Sequence, residues 1–511
     1  MVTPSIGTLV GSVEFPGATG SPCPPAVGAR HMPWDDRLDL AKKALGHARP
    51  LTELAEERGV SRKFVYEQQH RAEAALQSAF EPESLPDGFL GWLPITRSWV
   101  ERTVVSSALE CHGSVRGTCE HVKSITGRSI SEGSVCGILD RARVKAQPIN
   151  DSQDLGLIHA GAHDEIFSQG TPVLTGVEPA STFVYLLEPS HGRDEVAWWA
   201  ALTEKRERQG LSLDVSISDA ARGLRSGVKA AFPDIEMRGD VLHAQMEVSE
   251  MMTYLENRAY GRLTHLEGEE RKMTRAKKRS AGMGHSKHLA LARARACDAV
   301  ALFDEMEILT DWWTEQIQLI GPDLARRQEL YDWLVREMES RASRSHRIGP
   351  VVTYLKNQRD SLLAFVSEVQ GGLQRIAQVF QVSPALVDAV YHQFALDPDD
   401  PRQDVVQCRL AEEAPEQADA IAEAVADLLD RVLRASSAVE NINSILRGYF
   451  FLRRSIGPGF LDLLRFYLNH RRFRRSERPE RVGKSPRELL TGQAHAHWLD
   501  LLGYPPVVLQ N

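Results

Sequence analysis

The spacing of hydrophobic residues changes along the chain, and each change predicts a different kind of structure. From about residue 35 to residue 146 apolar positions recur at helical spacing and are interrupted by glycine turns. Between 155 and 247 they alternate with polar positions, which predicts strands. From about 245 to 435 the helical spacing returns without a convincing strand pattern. The chain is therefore predicted to be a multidomain α+β protein that contains a large all-helical block.

The alternating region predicts a mixed sheet. The runs TPVLTGV and STFVYLLE flank the tripeptide EPA, which indicates a β-hairpin. A predicted helix with Trp198 and Trp199 follows, and LSLDVSIS then forms a strand that ends at Asp219. A helix and a short strand near 235–238 complete the order β-β-β-α-β-α-β. This order predicts one mixed sheet with helices on its faces.

Residues 35–77 have the parts of a helix-turn-helix. A short helix ends at Gly59, and Ser61 stands where the N-cap of a longer helix is expected. That second helix presents Arg62, Lys63 and Tyr66, which are residue types able to reach phosphates and base edges. A plain helical hairpin is the alternative. A second unit at 97–146 repeats the pattern with fewer basic residues, and either a second helix-turn-helix or a structural three-helix bundle fits it.

The charge of the chain is segregated. The net charge is −8, which by itself does not indicate a nucleic-acid partner. Residues 271–295, however, carry nine Lys and Arg and no acid, and 447–488 carry twelve against four acids. Eleven Asp and Glu with two Arg in 397–430 offset them. Two separate basic patches of this kind favour a polyanionic partner over a merely solvated surface.

Composition excludes several other classes of protein. The 511 residues are too many for one core, so three or four domains are expected. The first thirty residues are rich in Gly, Pro and Ser and are predicted to form a disordered leader. Six scattered cysteines without a C-x-x-C pair indicate reduced thiols in a cytosol and no zinc site. No apolar run is long enough to predict a membrane span.

Three acids interrupt hydrophobic patterns at unusual positions. Asp164 stands in phase with the buried face of its strand, between Ala162 and Ile166. Asp219 ends the later strand, at the edge where open sheets bind ligands. Glu440 lies on the helix SSAVENINSILRGYFFLRR, on one side with Asn443 and Arg447. Acids at such positions indicate a functional site, because an isolated buried carboxylate is costly.

Oxygen ligands without a nearby Cys and His set favour Mg²⁺ or Mn²⁺ over zinc. Two such ions can activate an attacking oxygen and stabilise a leaving oxygen in phosphoryl transfer. Arg447, Arg453 and Arg454 are then expected to hold a DNA backbone beside the metal ions. Glu165 and Glu178 compete with Asp164 for the first position, although alternation directs Glu165 to the opposite strand face.

Four segments together resemble a bacterial insertion-sequence transposase of the DDE type. They are HDEIFSQGTPVLTGVE, SISDAARGLRSGV, GDVLHAQMEV, and SSAVENINSILRGYFFLRR with the later FLDLLRFYLNHRRF. The resemblance covers roughly residues 155–490 and implies an RNase H-like catalytic core. It implies that Asp164, Asp219 and Glu440 are the catalytic and metal-binding triad, with two Mg²⁺ or Mn²⁺ ions per site. The long separation of the last two acids resembles transposases, such as the hAT group, with a helical domain inserted before the final Glu.

The resemblance also suggests auxiliary roles. Asp240 and His243 match the (C/D)xxH motif of those groups, and with Asn443 they are expected to support the metal ligands or position DNA. A helix N-cap with a packed histidine is the alternative for the first two. Trp312 and Trp313 either stack a base flipped from the duplex or belong to the helical core. The predicted DNA-binding residues are Ser61, Arg62, Lys63, Tyr66, Lys277, Lys278, Arg279, Arg447, Arg453, Arg454, Arg471 and Arg472.

The predicted organisation follows from these assignments. It comprises a disordered leader (1–33), a helix-turn-helix domain (34–82), a second helical domain (95–147), the first part of an RNase H-like core (153–247), an all-helical insertion domain (248–434), the final helices of the core with Glu440 (435–475), and a basic loop with the C-terminal tail (476–511).

The resemblance implies cutting of the element ends and attack of the freed 3′-OH on target DNA. The implied partner is double-stranded DNA, both terminal inverted repeats and target, bound by a homodimer or higher oligomer in the bacterial cytoplasm at the nucleoid. Two other functions use the same modules. One is a DNA-binding regulator derived from a transposase that cuts nothing, and the other is an RNase H-like nuclease that hydrolyses DNA without joining strands.

Overall fold

The computed structural model describes residues 31–80, 93–277, 283–452 and 457–506. The chain divides into two compact units between Trp92 and Leu93. Residues 1–30 of the predicted leader lie outside the described residues. The elements in chain order are α1 Trp34–Leu45, α2 Leu51–Glu57, α3 Arg62–Phe80, α4 Arg97–Leu109, α5 Val115–Thr126, α6 Glu132–Asp151, β1 Ala160–Ser168, β2 Thr171–Val177, β3 Val184–Pro189, α7 Glu195–Gln209, β4 Val215–Ser218, α8 Arg222–Ala231, β5 Glu236–Gly239, α9 Val241–Lys277, α10 Met283–Gln316, α11 Leu324–Ser340, α12 Ile348–Phe380, α13 Pro384–Gln393, α14 Arg402–Glu413, α15 Ala418–Arg431, α16 Ser437–Leu452, α17 Pro458–His470, α18 Pro486–Thr491 and α19 Trp498–Leu501.

The first unit is built from helices α1 to α3 around a small core. Leu40, Leu54 and Val65 are buried at its centre. Gly59 adopts a left-handed conformation with φ 60° between α2 and α3, which a glycine reaches without steric cost. The Ser61 hydroxyl accepts a hydrogen bond from the Phe64 N–H at 3.2 Å, so the predicted N-cap is confirmed.

The second unit contains one mixed sheet with the strand order β3-β2-β1-β4-β5. Strands β1, β2 and β3 pair antiparallel, whereas β4 and β5 run parallel to β1. The predicted order of strands and helices is therefore confirmed, including the hairpin at residues 178–180. β4 is shorter than its pattern predicted. Leu211 and Leu213 continue the buried alternation but lie before the first residue of the strand, Val215.

Each face of the sheet is covered by helices. On one face Ala162 and Ile166 of β1 share a hydrophobic core with α16 and α17. Helices α4 to α6, the second predicted helical unit, share that same core with the sheet. On the other face Leu174 and Leu186 pack with α7 and α8. Helices of the second unit thus pack on both faces of the sheet.

Helices α9 to α15 form the predicted helical insertion, which separates β5 from α16. Their core is continuous and is distinct from the two cores of the sheet. The long helix α12 supplies much of it, including Leu355, Leu362 and Phe365. No helix in the described part of the chain has the length and apolar character that a membrane crossing requires.

The C-terminal segment continues from α17 into a basic loop and two short helices. Ser485 and Glu488 form a capping box at the start of α18. The buried Glu488 carboxylate also pairs with Arg472 at 2.8 Å. Hydrogen bonding to Arg472 opposes the effect of burial, and the pKa of Glu488 falls to about 2. This ion pair fixes the loop against α18.

Candidate active site beside β1 at the carboxyl end of β4

Two of the three predicted acids meet on adjacent strands. β1 and β4 are parallel, and their register ends with His163 opposite Ser218. Asp164 is the next residue of β1, and Asp219 directly follows β4. Continuing the register by one residue places the two aspartates side by side at the edge where β4 ends. The Asp219 carboxylate accepts a hydrogen bond from the Ala221 N–H at 2.9 Å, which turns the chain into α8.

Helix α16 brings the third acid to the same face of the sheet. Its predicted buried stripe is confirmed, because Val439, Ile442, Leu446 and Tyr449 are all buried. One turn beyond Glu440, the Asn443 side-chain amide donates a hydrogen bond to the Asp164 carboxylate at 2.5 Å. Asn443 thus fixes α16 directly to the first aspartate.

Electrostatics show how closely the carboxylates crowd around Asp164. Burial raises the pKa of Asp164 from its ordinary value of 3.8 to about 7. The negative charges of Glu440, Asp219 and Glu165 raise this pKa further, while the Glu165 N–H opposes them by donating a hydrogen bond. All three neighbouring acids therefore lie close enough for their charges to affect Asp164.

The carboxylates are close to one another without forming a ligand cluster. In the described part of the chain, no group of three His, Cys, Asp or Glu side chains is placed to hold one metal ion together. Instead Asp164 is bonded to Asn443, and the Glu440 carboxylate lies 3.9 Å from the Arg447 guanidinium. Convergence of the triad on an ion therefore requires side-chain rearrangement.

The two competing glutamates have different surroundings. Glu178 accepts hydrogen bonds from the N–H groups of Ala180 and Ser181 and from the Ser181 hydroxyl, so it caps the turn after β2. Glu165 has a 7% exposed side chain and contacts the exposed Arg193 at 3.3 Å. Burial raises the pKa of Glu165, and the charge of Asp219 raises it further. Glu165 therefore borders the site, whereas Glu178 serves the turn.

Four buried polar atoms that lack a partner in the described part of the chain belong to residues near the aspartates. Thr175 pairs with Asp164 across β1 and β2, and Ser218 directly precedes Asp219. The Thr175 and Ser218 hydroxyls, Glu165 Oε2 and Asn443 Oδ1 have no hydrogen-bond partner among the described residues. Each such group costs about 1–3 kcal/mol when it is left unsatisfied. Unsatisfied buried polar groups in a native structure call for an explanation, and a bound ion or water molecule is one.

A buried histidine behind Asp164 was missed by the sequence patterns. The His163 ring bonds to the Ser216 hydroxyl at 2.8 Å and to the Tyr185 hydroxyl at 2.7 Å. Complete burial lowers the pKa of His163 to about 3, so the ring is neutral. His163 lies in the opposite phase of β1 from Ala162, Asp164 and Ile166, so the alternation of that strand gave no signal that it is buried. His163 links β1 to β3 and β4 directly behind the acids.

Asp240 joins the start of the helical insertion to its end. Its carboxylate accepts hydrogen bonds from the Leu242 N–H at 2.9 Å, the Ser436 N–H at 3.2 Å and the Ser436 hydroxyl. The Val241 N–H also donates to the Arg434 carbonyl at 3.0 Å. The predicted N-cap alternative is thus only part of its role. By holding Ser436, Asp240 positions the first turn of α16, which carries Glu440.

Replacing Asp240 with alanine is expected to lower the free energy of unfolding by about 2–3 kcal/mol, because three hydrogen bonds to a buried carboxylate are lost. Ser436→Ala should cost about 1 kcal/mol. Denaturant unfolding measures both, and hydrogen exchange should show faster exchange in the first turn of α16. Ser437→Ala, which alters the exposed neighbouring hydroxyl, is the matched control. Unchanged exchange in α16 after Asp240→Ala would contradict this role.

His243 lies on the same side of the site, in α9. Its ring packs edge-on against Tyr354 of α12 at 6.1 Å and lies 3.6 Å from the Glu247 carboxylate. Burial raises the pKa of Tyr354, and the charges of Asp240, Glu247 and Asp219 raise it further. The helical insertion therefore contributes residues from α9 and α12 to the border of the site.

The predicted DNA-binding residues occupy several places. In the first unit Ser61, Arg62, Lys63 and Tyr66 are exposed at the start of α3. In the second unit Arg447 is exposed on α16, whereas Arg471 stacks on Tyr467 at 5.7 Å. Arg472 bonds Glu488 and the His495 carbonyl, which gives it a structural role in the loop. The side chain of Lys277 and residues Lys278, Arg279, Arg453 and Arg454 lie outside the described residues.

The adjacent tryptophans have separate environments. Trp313 is fully buried, and its ring centroid lies 6.2 Å from that of Tyr331. It therefore belongs to the helical core and cannot stack a flipped base. Trp312 is 47% exposed and lies 6.2 Å from the exposed Trp333. Base stacking by Trp312 stays a prediction.

Comparison with known proteins adds no relative. No protein-family model matches the chain, and no curated protein matches it significantly.

Proposed function

We propose that the chain is a DDE-type DNA transposase, which binds element ends, nicks them and joins the 3′-OH ends to target DNA. The observation that carries this proposal is that Asp164, in the middle of β1, lies beside Asp219 at the end of β4, with the helix of Glu440 packed across the same face. The acids are distant in sequence, and a purely structural protein gains nothing from crowding them in a buried place.

The sheet supports this assignment. The order β3-β2-β1-β4-β5, antiparallel on one side of β1 and parallel on the other, is the arrangement expected of an RNase H-like core. The insertion between β5 and α16 stands between the second and third acids, where the resemblance to transposases with a helical insertion requires it. Such a fold alone hosts many functions, so only the acids at the site distinguish among them.

The residues at the site fit divalent cations of the Mg²⁺ or Mn²⁺ kind. Asp164, Asp219 and Glu440 supply oxygen ligands, and the unpartnered Oδ1 of Asn443 is a further lone pair without a donor among the described residues. A cation offsets the mutual repulsion that raises the pKa of Asp164. Two such ions, when bound, activate the attacking oxygen and stabilise the leaving oxygen of an in-line phosphoryl transfer.

The chain's own residues have distinct tasks in this proposal. Asn443 orients the Asp164 carboxylate, and Asp240 holds the start of α16 so that Glu440 faces the aspartates. Arg447, 66% exposed beside Glu440, is placed to bind the backbone of the DNA strand. Water is the nucleophile in the first step, and the freed 3′-OH attacks the target phosphate in the second.

Recognition of the element ends is assigned to the first unit. Helices α2 and α3, joined by the turn at Gly59, have the form of a helix-turn-helix with Arg62, Lys63 and Tyr66 exposed at the start of the second helix. In this class of module the start of the second helix enters the major groove. We propose a homodimer or larger assembly on DNA in the bacterial cytoplasm, because two ends must be joined together.

A DNA-binding regulator that cuts nothing is the second candidate. The observation that favours it is that the three carboxylates, within the described residues, do not converge as one ligand group. The same helical units would serve a regulator. An RNase H-like nuclease that hydrolyses DNA without joining strands is a third candidate. The products of the assay described next distinguish it from a transposase.

One assay distinguishes these functions. Purified protein is mixed with labelled duplexes from the DNA that flanks its own coding sequence and with a supercoiled plasmid, in Mg²⁺ or in EDTA. A transposase is expected to give labelled ends joined to the plasmid in Mg²⁺ alone. Binding without cleavage would identify the regulator, and cleavage without joined products the nuclease. Replacing Mg²⁺ with Mn²⁺ should retain joining.

A further inference from the structure

Arg225 lies beside the second aspartate, in α8. This helix begins directly after the turn that Asp219 forms with Ala221, and the Arg225 N–H donates to the Ala221 carbonyl at 3.1 Å. The guanidinium is half-buried. Burial lowers the pKa of Arg225, and the nearby Tyr354 and Asp219 groups partly offset the effect. A cation thus stands at the border of a site otherwise lined by acids.

The guanidinium of Arg225 has an unusual set of partners. Its Nη1 donates a hydrogen bond to Gln358 Oε1 at 2.5 Å, and it makes no ion pair with a carboxylate of the described residues. By contrast, the buried Arg238 nearby pairs with both Glu236 and Glu368. An arginine carries five N–H donors, and a half-buried one normally finds an anion. The remaining donors of Arg225 are therefore available to a ligand.

The position of Gln358 is set by the packing of the helical insertion. α12 crosses the end of β5 at Gly239, where an added Cβ would lie only 3.0 Å from Ser361 Oγ. The Ser361 hydroxyl lies within hydrogen-bond distance of both the Gln358 carbonyl, at 2.9 Å, and Gln358 Oε1, at 3.1 Å. Gln358 is consequently fixed by its own helix and directs the Arg225 guanidinium. A neutral amide holds the arginine in place without neutralising its charge.

We infer that Arg225 binds a phosphate of the DNA strand next to the cleavage position, and that Gln358 of the insertion orients it for this contact. The inference rests on the proposed function. A guanidinium matches a phosphate through two parallel hydrogen bonds, and its charge is compatible with a strand lying over Asp219. The helical insertion thereby contributes to the DNA-binding surface of the site.

The test combines protein variants with neutral phosphates in the DNA. Single-turnover cleavage is measured on flanking-sequence duplexes that carry one methylphosphonate at each position around the cut in turn. At one position the wild-type rate should fall roughly 10- to 100-fold, the loss expected for one charge-assisted contact. Arg225→Gln should be slowed by a similar factor on normal DNA, and the methylphosphonate at that position should slow it less than about threefold further.

Two more variants and a control complete the experiment. Gln358→Glu keeps Arg225 but gives it an anionic partner, so it should reproduce the loss and the insensitivity to that methylphosphonate. Arg222→Gln, an exposed arginine on the same helix, should retain the wild-type rate and the methylphosphonate profile. Thermal unfolding of each variant checks that the fold is intact.

The outcomes separate this inference from the proposed function. If the wild type cleaves and Arg225→Gln keeps the full methylphosphonate sensitivity at every position, the inference is wrong and the transposase proposal stands. The same conclusion follows if Arg225→Gln cleaves normal DNA at the wild-type rate. If the wild type binds the duplexes but cleaves none of them, the proposed function fails, and this inference falls with it.

Discussion

Replacing Glu440 with glutamine is expected to stop cleavage and strand joining while leaving binding to the element ends largely intact. Glutamine keeps the size of the side chain and removes its negative charge. If Glu440 binds one of two divalent ions, several kcal/mol of transition-state stabilisation are lost, which corresponds to a fall of about 1,000-fold or more in rate. The proposed function assigns end binding to the first unit and to the basic surfaces, and Glu440 belongs to neither.

Single-turnover cleavage and a gel-shift titration on the same duplexes measure the two effects separately. Asp219→Ala should behave like Glu440→Gln. Glu250→Gln, an exposed carboxylate on α9, is the matched control and should cleave normally. Strand joining retained in Glu440→Gln would remove Glu440 from the triad. Loss of both binding and cleavage would instead indicate that α16 had been displaced.

Replacing Asp164 with asparagine is expected to stabilise the metal-free protein at high pH. Folding raises the pKa of Asp164 from 3.8 to about 7. As the pH rises, the unfolded chain therefore loses this proton at a lower pH than the folded chain does. The contribution of Asp164 to the free energy of unfolding of the wild type therefore falls between about pH 4 and pH 7 and levels off above it. Since each pKa unit corresponds to about 1.4 kcal/mol, Asp164→Asn should gain at most about 4 kcal/mol at pH 8 and almost nothing at pH 4.

Denaturant unfolding in EDTA at pH 4, 6 and 8 tests this difference between variant and wild type. Adding Mg²⁺ or Mn²⁺ at pH 8 should stabilise the wild type more than Asp164→Asn, because a ligand that binds only the folded state stabilises it. Asp304→Asn, an exposed carboxylate on α10, should follow the wild type throughout. A constant difference between Asp164→Asn and the wild type at all pH values would contradict the assigned cause.

Much of the framework could be predicted from sequence periodicity. The alternation in residues 155–247 and the helical spacing after 245 predicted the confirmed α+β architecture, the order of its elements and the position of the insertion. The same patterns predicted the buried stripe of α16 and the Ser61 cap. These features depend on contacts between residues close in sequence, so local patterns contain them. Asp164 and Asp219 were noticed for the same reason, since each breaks the alternation of its own strand.

Contacts between distant residues could not be predicted in this way. The Asn443 bond to Asp164, the Asp240 bonds to Ser436 and the Gln358 bond to Arg225 each join side chains more than a hundred residues apart. No local pattern marks one partner for the other. The shared core of α4 to α6 with the sheet is a further example, because each helix alone has an ordinary apolar face.

The sequence by itself therefore determined which segments form strands and helices and which acids are out of place. The tertiary structure alone decided that the aspartates lie side by side, that α16 is fixed to the first of them, and that the insertion adds Arg225's partner to the site's border. The physical reason is the difference between the two kinds of interaction. Periodic burial acts along each segment separately, whereas hydrogen bonds between segments exist only after the sheet has been assembled and the insertion has closed over its end.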